Sequence, residues 1–339
     1  MPATRYLLHP RPDPALLSLV VPAYNEEAVV PDLRRQMTAF IDSLPVEAEV
    51  ILVDDGSSDR TLELLVDWSH ADERIKVLGL ARNFGHQAAV TAGLDAAAGD
   101  AAVILDADLQ DPLTAINDML AEYRRGYDVV YGQRISRDGE TVFKRATAWL
   151  FYRFMRSFIH KDLPPDAGDF RLISRPCLDA LKSMRETHRF LRGMTAWVGF
   201  PQTAVKYHRQ ARIAGQSKYP FWKMARFAWT AAISFSPAPL RLSLAGGMVV
   251  AVASLGYLLY AVARALFWHD TAKGWPSLVA VVCLIGGAIL VSIGILGEYV
   301  GRIFEESKGR PLYIISSTAN YRSKKNVDES SSEISSGHA

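Results

Sequence analysis

Two stretches of this chain, residues 242–263 and 275–297, contain no Asp, Glu, Lys or Arg. Each is about 22 residues long, which is what an α-helix needs to cross the hydrocarbon core of a bilayer. Hiding both inside a soluble core would require a domain short of apolar strands, and the rest of the chain has its own, so two transmembrane helices are expected. Small residues punctuate both runs (Gly246, Gly247, Ser254, Gly256, then Gly286, Gly287, Gly294, Gly297), as suits helices that approach closely in a hairpin or an oligomer. Two spans return the chain to the side it left, and the loop near 269–274 is too short for an outer domain. The proline-rich N-terminus lacks the apolar core of a signal peptide. Arg302, Lys308, Arg310, Arg322, Lys324 and Lys325 follow the second span, so by the positive-inside rule the bulk of the chain is expected in the cytosol. Glu298 sits at the edge of that span, where an ionisable group can anchor a helix at the interface.

These runs account for a charged fraction of only 22% in 339 residues, and the net charge of +2 points to no partner. Cys177 and Cys283 fall in a cytosolic part and in the second span, which gives neither a structural disulfide nor a zinc spacing. The Ser-rich end, roughly 326–339, is expected to be disordered.

The first third alternates short apolar runs with helical patterns, the signature of a parallel, helix-covered sheet. Strands are expected at 17–21, 50–53, 75–80, 101–105 and 129–131, and helices near 27–41, 60–69, 86–98 and 113–125, joined by right-handed crossovers. Polar residues then cluster at strand ends: Pro22, Ala23, Tyr24, Asn25 and Glu26; Asp54, Asp55, Gly56 and Ser57; and Asp106 to Gln110. Open α/β sheets bind ligands at that edge, so the three clusters should face one crevice. Two carboxylates spaced as Asp106 and Asp108 suit Mg²⁺ or Mn²⁺ bridging a nucleotide diphosphate, because both ions prefer hard oxygen ligands. Alone the triplet is weak, since aspartates after strands are usually caps; Asp111 before Pro112 reads as N-cap and N1 of the next helix, and Ser58 and Asp59 as caps. Gly56 is expected to supply a backbone conformation that a side chain would forbid.

Residues 141–161 and 219–229 interleave aromatic and basic side chains, among them Phe143, Lys144, Trp149 and Arg153, then Trp222, Lys223 and Arg226. Both read as interfacial helices that bury rings at headgroup depth while cations meet anionic lipid. Nucleic acid is excluded by location, because the second stretch runs straight into a membrane span.

VVPAYNEE, VDDGSSDRT, RNFGHQAAVTAGLDAA, DADLQDP, GDFRLISR, HRFLRGM and GQSKYP, in this order, resemble family 2 glycosyltransferases, and more narrowly the polyprenyl-phosphate glycosyltransferases, which include dolichol-phosphate mannose synthases and bactoprenol glucosyltransferases. The resemblance covers roughly 16–315, and two spans followed by GRPLYII fit the bactoprenol type best. It implies an α/β, GT-A Rossmann-like nucleotide-sugar domain with juxtamembrane amphipathic helices and two C-terminal transmembrane helices. The expected divisions are an extension (1–15), a nucleotide-sugar core (16–140), an acceptor-side region (141–240), a transmembrane hairpin (241–301) and a cytosolic tail (302–339).

The implied reaction is inverting transfer of a sugar, UDP-glucose being the favoured donor, to undecaprenyl or another polyprenyl phosphate at the cytosolic face of a bacterial inner membrane. By the same resemblance Asp55 faces the nucleotide base, with Pro22, Ala23, Tyr24 and Glu26 lining its pocket. Asp106 holds ribose or diphosphate, Asp108 and Gln110 ligate the metal, and Asp169 lies near the reacting sugar. Arg134, Arg212 and Lys218 match positions that hold phosphates, and a homo-oligomer, tetramer or dimer, is implied. A phosphate monoester has a second pKa of about 6, so the acceptor is already an oxyanion at neutral pH and demands no strong base. Asp169 is therefore read as a positioning or charge-stabilising group rather than a proton acceptor. His188 reads as a packed or capping histidine, and His86 as part of a helix entry. Two alternatives are weaker. A processive polysaccharide synthase would carry QxxRW, which is absent, and a scaffold or translocase would have no use for the carboxylates.

Overall fold

Parallel strands buried on both faces need continuous apolar sequence, and four such strands form the middle of the sheet in the computed structural model, which describes residues 8–135, 167–208, 238–268 and 274–321. The elements are β1 (Leu16–Ala23), α1 (Val30–Ser43), β2 (Glu47–Asp54), α2 (Thr61–Ala71), β3 (Ile75–Leu80), α3 (His86–Ala96), β4 (Ala101–Ile104), α4 (Ala115–Arg124), β5 (Val129–Arg134), β6 (Ala167–Ser174), α5 (Arg175–Ser183), α6 (Leu191–Trp197), β7 (Gln202–Tyr207), α7 (Ala238–Trp268), α8 (Trp275–Ser307) and β8 (Ile315–Ala319). Every strand and helix expected in the first third is present.

The eight strands form one sheet in the order β7-β5-β6-β4-β1-β2-β3-β8. It is mixed rather than wholly parallel. β6 runs antiparallel between β4 and β5, and β8 adds an antiparallel edge to β3, while β1 pairs in parallel with β2 and β4. Leu17, Leu19, Val20, Leu52, Val103 and Leu172 are fully buried. On one face α1 turns Val30, Leu33, Met37, Phe40 and Ile41 inward at helical spacing. On the other, α3 comes close to the sheet because it is built from Ala and Gly: a Cβ on Gly93 would lie 2.3 Å from Val20 Cγ1.

Register explains why the polar clusters meet. Ala23 is paired with Asp54, and Val20 with Ile104, so the carboxyl ends of β1, β2 and β4 stop at one edge. Asp55 N donates to Ala23 O at 2.9 Å, tying the first two loops together. Asn25, at φ +54, has its N–H on Ser57 Oγ (2.9 Å) and its Oδ1 under Ser58 N (2.8 Å). Asp59 Oδ1 accepts Thr61 N at 3.0 Å at the start of α2, but the N-cap position itself is Arg60, and Ser58, also expected as a cap, turns its hydroxyl to Asn25 Oδ1 instead.

Asp111 is not a cap. Turn hydrogen bonds from Ala115 N to Pro112 O and from Ile116 N to Leu113 O precede α4, which begins at Ala115, and Asp111 is buried with its Oδ1 accepting the Tyr207 hydroxyl at 2.5 Å. The residue–proline pair gave the right local direction, but a long-range phenol captures the carboxylate.

The described residues fall into two units: 8–135, 167–208 and 311–321 in one, and 238–268 with 274–310 in the other. In the second, α7 and α8 are 31 and 33 residues long and pack against each other. Leu240–Tyr260 and Leu284–Ser307 have mean hydropathies of 1.9 and 1.8. The second helix extends past the apolar run, where Glu298 meets Arg302 at 3.5 Å one turn later. In the first unit, the residues after the hairpin re-enter the sheet as β8. Ala81 N donates to Ile314 O (2.9 Å), and the Tyr313 hydroxyl donates to Asp95 Oδ2 (2.7 Å). Both expected interfacial stretches, 141–161 and 219–229, lie outside the described residues.

Candidate active site

The second loop is built around a close approach that only glycine allows. Gly56 has φ +68, and a Cβ there would lie 2.4 Å from the carbonyl carbon of Arg82. This brings the RNFG loop onto Asp55, whose two oxygens accept Phe84 N (2.8 Å) and Gly85 N (2.9 Å). Burial raises the Asp55 pKa; the two amides oppose the rise without cancelling it. A carboxylate has about four acceptor positions, so both amides still leave capacity for a ligand donor. Beside it Asp54 Oδ2 accepts Ser57 N at 3.1 Å, while Asp54 Oδ1 is buried without a hydrogen-bond partner. At the end of β1 Pro22 and Ala23 form a buried floor, and in the loop that follows Tyr24 is exposed and Glu26 is half-buried with its N–H on Thr61 Oγ1 (2.8 Å).

Asp106 follows β4 and meets Asp169, from the antiparallel β6, through a histidine. His86 Nε2 lies 3.4 Å from Asp169 Oδ2 and 3.8 Å from Asp106 Oδ1. Arg192 Nε donates to Asp169 Oδ1 at 2.8 Å, and Gln87 Nε2 approaches Oδ2 at 3.4 Å. Gln87 Oε1 in turn accepts Leu191 N at 3.1 Å, which ties α3 to α6. Directly beneath, the fully buried Arg171 donates to Thr195 Oγ1 (2.6 Å) and Gly168 O (2.9 Å). Burial depresses the Arg171 pKa to about 10.

The carboxylates of this cluster are therefore driven in opposite directions. Burial pushes the Asp169 pKa up, but the His86 hydrogen bond and the Arg192 charge overwhelm it and hold Asp169 far below the usual carboxylate range. Asp106 is raised, first by burial and then by Asp169, Asp111 and Asp108, against the opposing pull of His86. His86 itself is raised: burial disfavours its cation, but the bond to Asp169 and the charges of Asp106 and Asp169 prevail. These shifts favour the ionised form of Asp169 and the protonated form of His86 between the two carboxylates.

Asp108 accepts Gln110 N at 3.2 Å, and Gln110 is 7% exposed with its Oε1 lacking a hydrogen-bond partner. Leu109, between them, is held at φ +54. Among the described residues no three His, Cys, Asp or Glu side chains could by themselves hold a metal ion. Mg²⁺ and its analogues are commonly held by one or two carboxylates plus substrate phosphates, so the two carboxylates of the Asp106–Ala107–Asp108 triplet beside an orphaned amide oxygen fit such an ion arriving with its diphosphate.

Arg134 ends β5 next to this cluster: its Nε donates to the Tyr207 hydroxyl at 3.3 Å, and its Nη2 is 3.9 Å from Asp111 Oδ1. Arg212 and Lys218 lie outside the described residues. The structure thus brings Pro22, Ala23, Tyr24, Glu26, Asp55, Asp106, Asp108, Gln110, Asp169 and Arg134 to the loops and strand ends of one unit. It adds His86, Gln87, Arg171, Arg192 and Tyr207. The strings RNFGHQ, GDFRLISR and HRFLRGM contain four of these, but only the antiparallel placement of β6 shows that they converge.

A mixed α/β sheet with carboxylates gathered at the carboxyl edge of its parallel strands is the Rossmann-like GT-A arrangement of nucleotide-sugar-dependent glycosyltransferases. Residues 18–181 match Glycosyl transferase family 2, and residues 238–303 match the GtrB C-terminal hairpin. The chain is 42% identical to the uncharacterized glycosyltransferase YkcC of Bacillus subtilis, over 91% of this chain and 95% of that one. It is 38% identical to the bactoprenol glucosyl transferase of Shigella phage SfV, over 88% and 97%, and 36% identical to a prophage bactoprenol glucosyl transferase homolog of Escherichia coli, over 88% and 98%. The chain belongs to glycosyltransferase family 2, and it is an enzyme.

Proposed function

We propose that this enzyme transfers glucose from UDP-glucose to a polyprenyl phosphate at the cytosolic face of a bacterial inner membrane, giving a lipid-linked sugar for envelope glycan modification. The observation that carries this reading is the 38% identity to a bactoprenol glucosyl transferase, which runs through both the catalytic domain and the apolar hairpin. A lipid acceptor also accounts for joining a polar nucleotide site to two helices whose large apolar residues face outward.

In the reaction a lone pair on the acceptor phosphate oxygen forms a bond to the anomeric carbon. The bond from that carbon to the diphosphate breaks, and its electron pair leaves with the nucleoside diphosphate. No proton need move at the nucleophile. Asp55 and the loop of Pro22, Ala23, Tyr24 and Glu26 seat the nucleotide, and Asp106 lies at its ribose or diphosphate. Asp108 and Gln110 would hold a divalent cation, Mg²⁺ or Mn²⁺, which when bound would supply neutralisation of the departing diphosphate. Asp169, held anionic by Arg192 and His86, stabilises positive charge developing at the anomeric carbon and orients the sugar. Arg134, with Arg212 and Lys218, offsets repulsion between the two phosphate groups.

The test is transfer of radiolabelled sugar to undecaprenyl phosphate by the full-length protein in detergent, across a panel of nucleotide sugars. UDP-glucose should be turned over fastest; preference for another donor overturns the sugar assignment, and no transfer with any donor overturns the acceptor. Asp108→Ala should lower turnover by at least about a hundredfold, the scale of losing a group that stabilises transition-state charge. EDTA should stop the reaction and Mg²⁺ or Mn²⁺ restore it. Undiminished turnover after both treatments removes the metal from the mechanism.

A further inference from the structure

Tyr207 has no part in any motif, yet it is the link between the DADLQDP segment and Arg134. β7 alternates so that Val205 and Tyr207 are buried while Lys206 is exposed, and its parallel register sets Tyr207 beside Arg134 of β5. The ring occupies a slot made by a missing side chain: a Cβ on Gly132 would fall 2.7 Å from Tyr207 Cε1 and 2.8 Å from Phe170 Cδ1. Phe170 closes the slot edge-on, with ring centroids 5.6 Å apart. Phe170 is also the residue after Asp169, so the tyrosine is seated against the strand that delivers that carboxylate.

The hydroxyl is shared in one direction. It donates to Asp111 Oδ1 at 2.5 Å and accepts from Arg134 Nε at 3.3 Å, which uses its one proton and one of its lone pairs. Arg134 Nη2 is 3.9 Å from Asp111, too far for a direct hydrogen bond, so the phenol carries the connection. A Cβ on Gly168 would sit 3.3 Å from Arg134 Nη2, which places the guanidinium at the backbone of the residue before Asp169. Because the tyrosine takes only the Nε–H, the terminal nitrogens keep donors for a planar, two-pronged grip on an oxyanion.

We propose that Tyr207 is a positioning residue: through its hydroxyl it fixes Arg134 against Gly168, the residue before Asp169, so that the guanidinium clasps a substrate phosphate, either that of the lipid acceptor or the diphosphate of the donor. This rests on the reading of Arg134 as a phosphate-holding residue.

The experiment is a double-mutant cycle of Tyr207→Phe and Arg134→Gln in the full-length protein in detergent, with UDP-glucose and undecaprenyl phosphate varied separately. Tyr207→Phe should raise the KM for one of the two substrates about tenfold, the scale of one lost hydrogen bond to a charged group, and leave kcat within about twofold. Whichever KM moves identifies the phosphate. In the Arg134→Gln background the added Tyr207→Phe should change neither KM further. Gly132→Ala, which presses on the ring but keeps the hydroxyl, should move the same KM in the same direction and serves if the phenylalanine variant does not fold. A lowered Tm with both KM values unchanged makes Tyr207 merely structural and overturns the proposal, as does an equal penalty with and without Arg134. Arg134→Gln with wild-type KM values overturns the Arg134 reading beneath it, and the wild-type rate, measured first, tests the overall function separately.

Discussion

The sheet and the hairpin are made from the same apolar residue types and treat them in opposite ways. In β1 and β2, Leu19, Val21, Val50 and Leu52 are fully buried, whereas in α7 and α8 Leu244 and Leu290 are each 70% exposed and Val249 is 69% exposed. In the sheet, flanking helices supply the surface that hides the strands. Among the described residues of the hairpin each helix packs against the other, and the remaining apolar surface lies on two helices long enough and apolar enough to span a bilayer. Burial is a property of surroundings, and the same residue types meet two different surroundings in one chain.

That comparison breaks most visibly with a charge. Leu290→Arg, in the middle of the second span, should cost about 2.5 to 3.5 kcal/mol of insertion free energy. Carbonate extraction should find less of the variant in the membrane pellet, with the sheet still folded by circular dichroism. Full retention in the pellet would mean that Leu290 does not face hydrocarbon. Gly93→Ala sharpens the other side: a methyl placed 2.3 Å from Val20 Cγ1 overpacks the α3 contact, at a cost of about 1 to 3 kcal/mol in chemical denaturation. The same Gly→Ala change at Gly287, with no atom within 4 Å of the new Cβ, should be close to neutral.

The smallest effect concerns pH and belongs to the sheet unit alone. Because His86 has a raised pKa in the folded state, its contribution to stability is fully present below its unfolded value of about 6.5 and is lost as pH rises through the folded value. The Tm difference between the wild type and His86→Gln should thus be larger near pH 6 than near pH 9. A gap independent of pH would show that His86 is not held as a cation by Asp106 and Asp169.

Legibility followed the range of the interactions. β1 to β5 and their helices were readable because each depends on local periodicity, and Gly56 because a tight loop after a strand has few solutions. β6, β7 and β8 were not, since an antiparallel insertion and a returning tail are decided by which edge is open. Asp111 shows the same limit within the site. Next to proline it looks like a cap, and a tyrosine 96 residues away joins it to Arg134 instead. His86 does open α3, as its sequence reads, but its contact with Asp169 exists only because β6 brings that carboxylate to its ring.

By itself the sequence determined the family, the two apolar helices, the parallel half of the sheet and most of the carboxylates at its edge, because composition, period and motif order are local quantities. Only the tertiary structure decided which charges face one another. The opposed protonation tendencies of Asp106 and Asp169, the raised pKa of the His86 between them and the phenol linking Arg134 to Asp111 all arise where strands far apart in sequence end side by side. Electrostatic energy depends on distance and burial, and neither exists until the chain has folded.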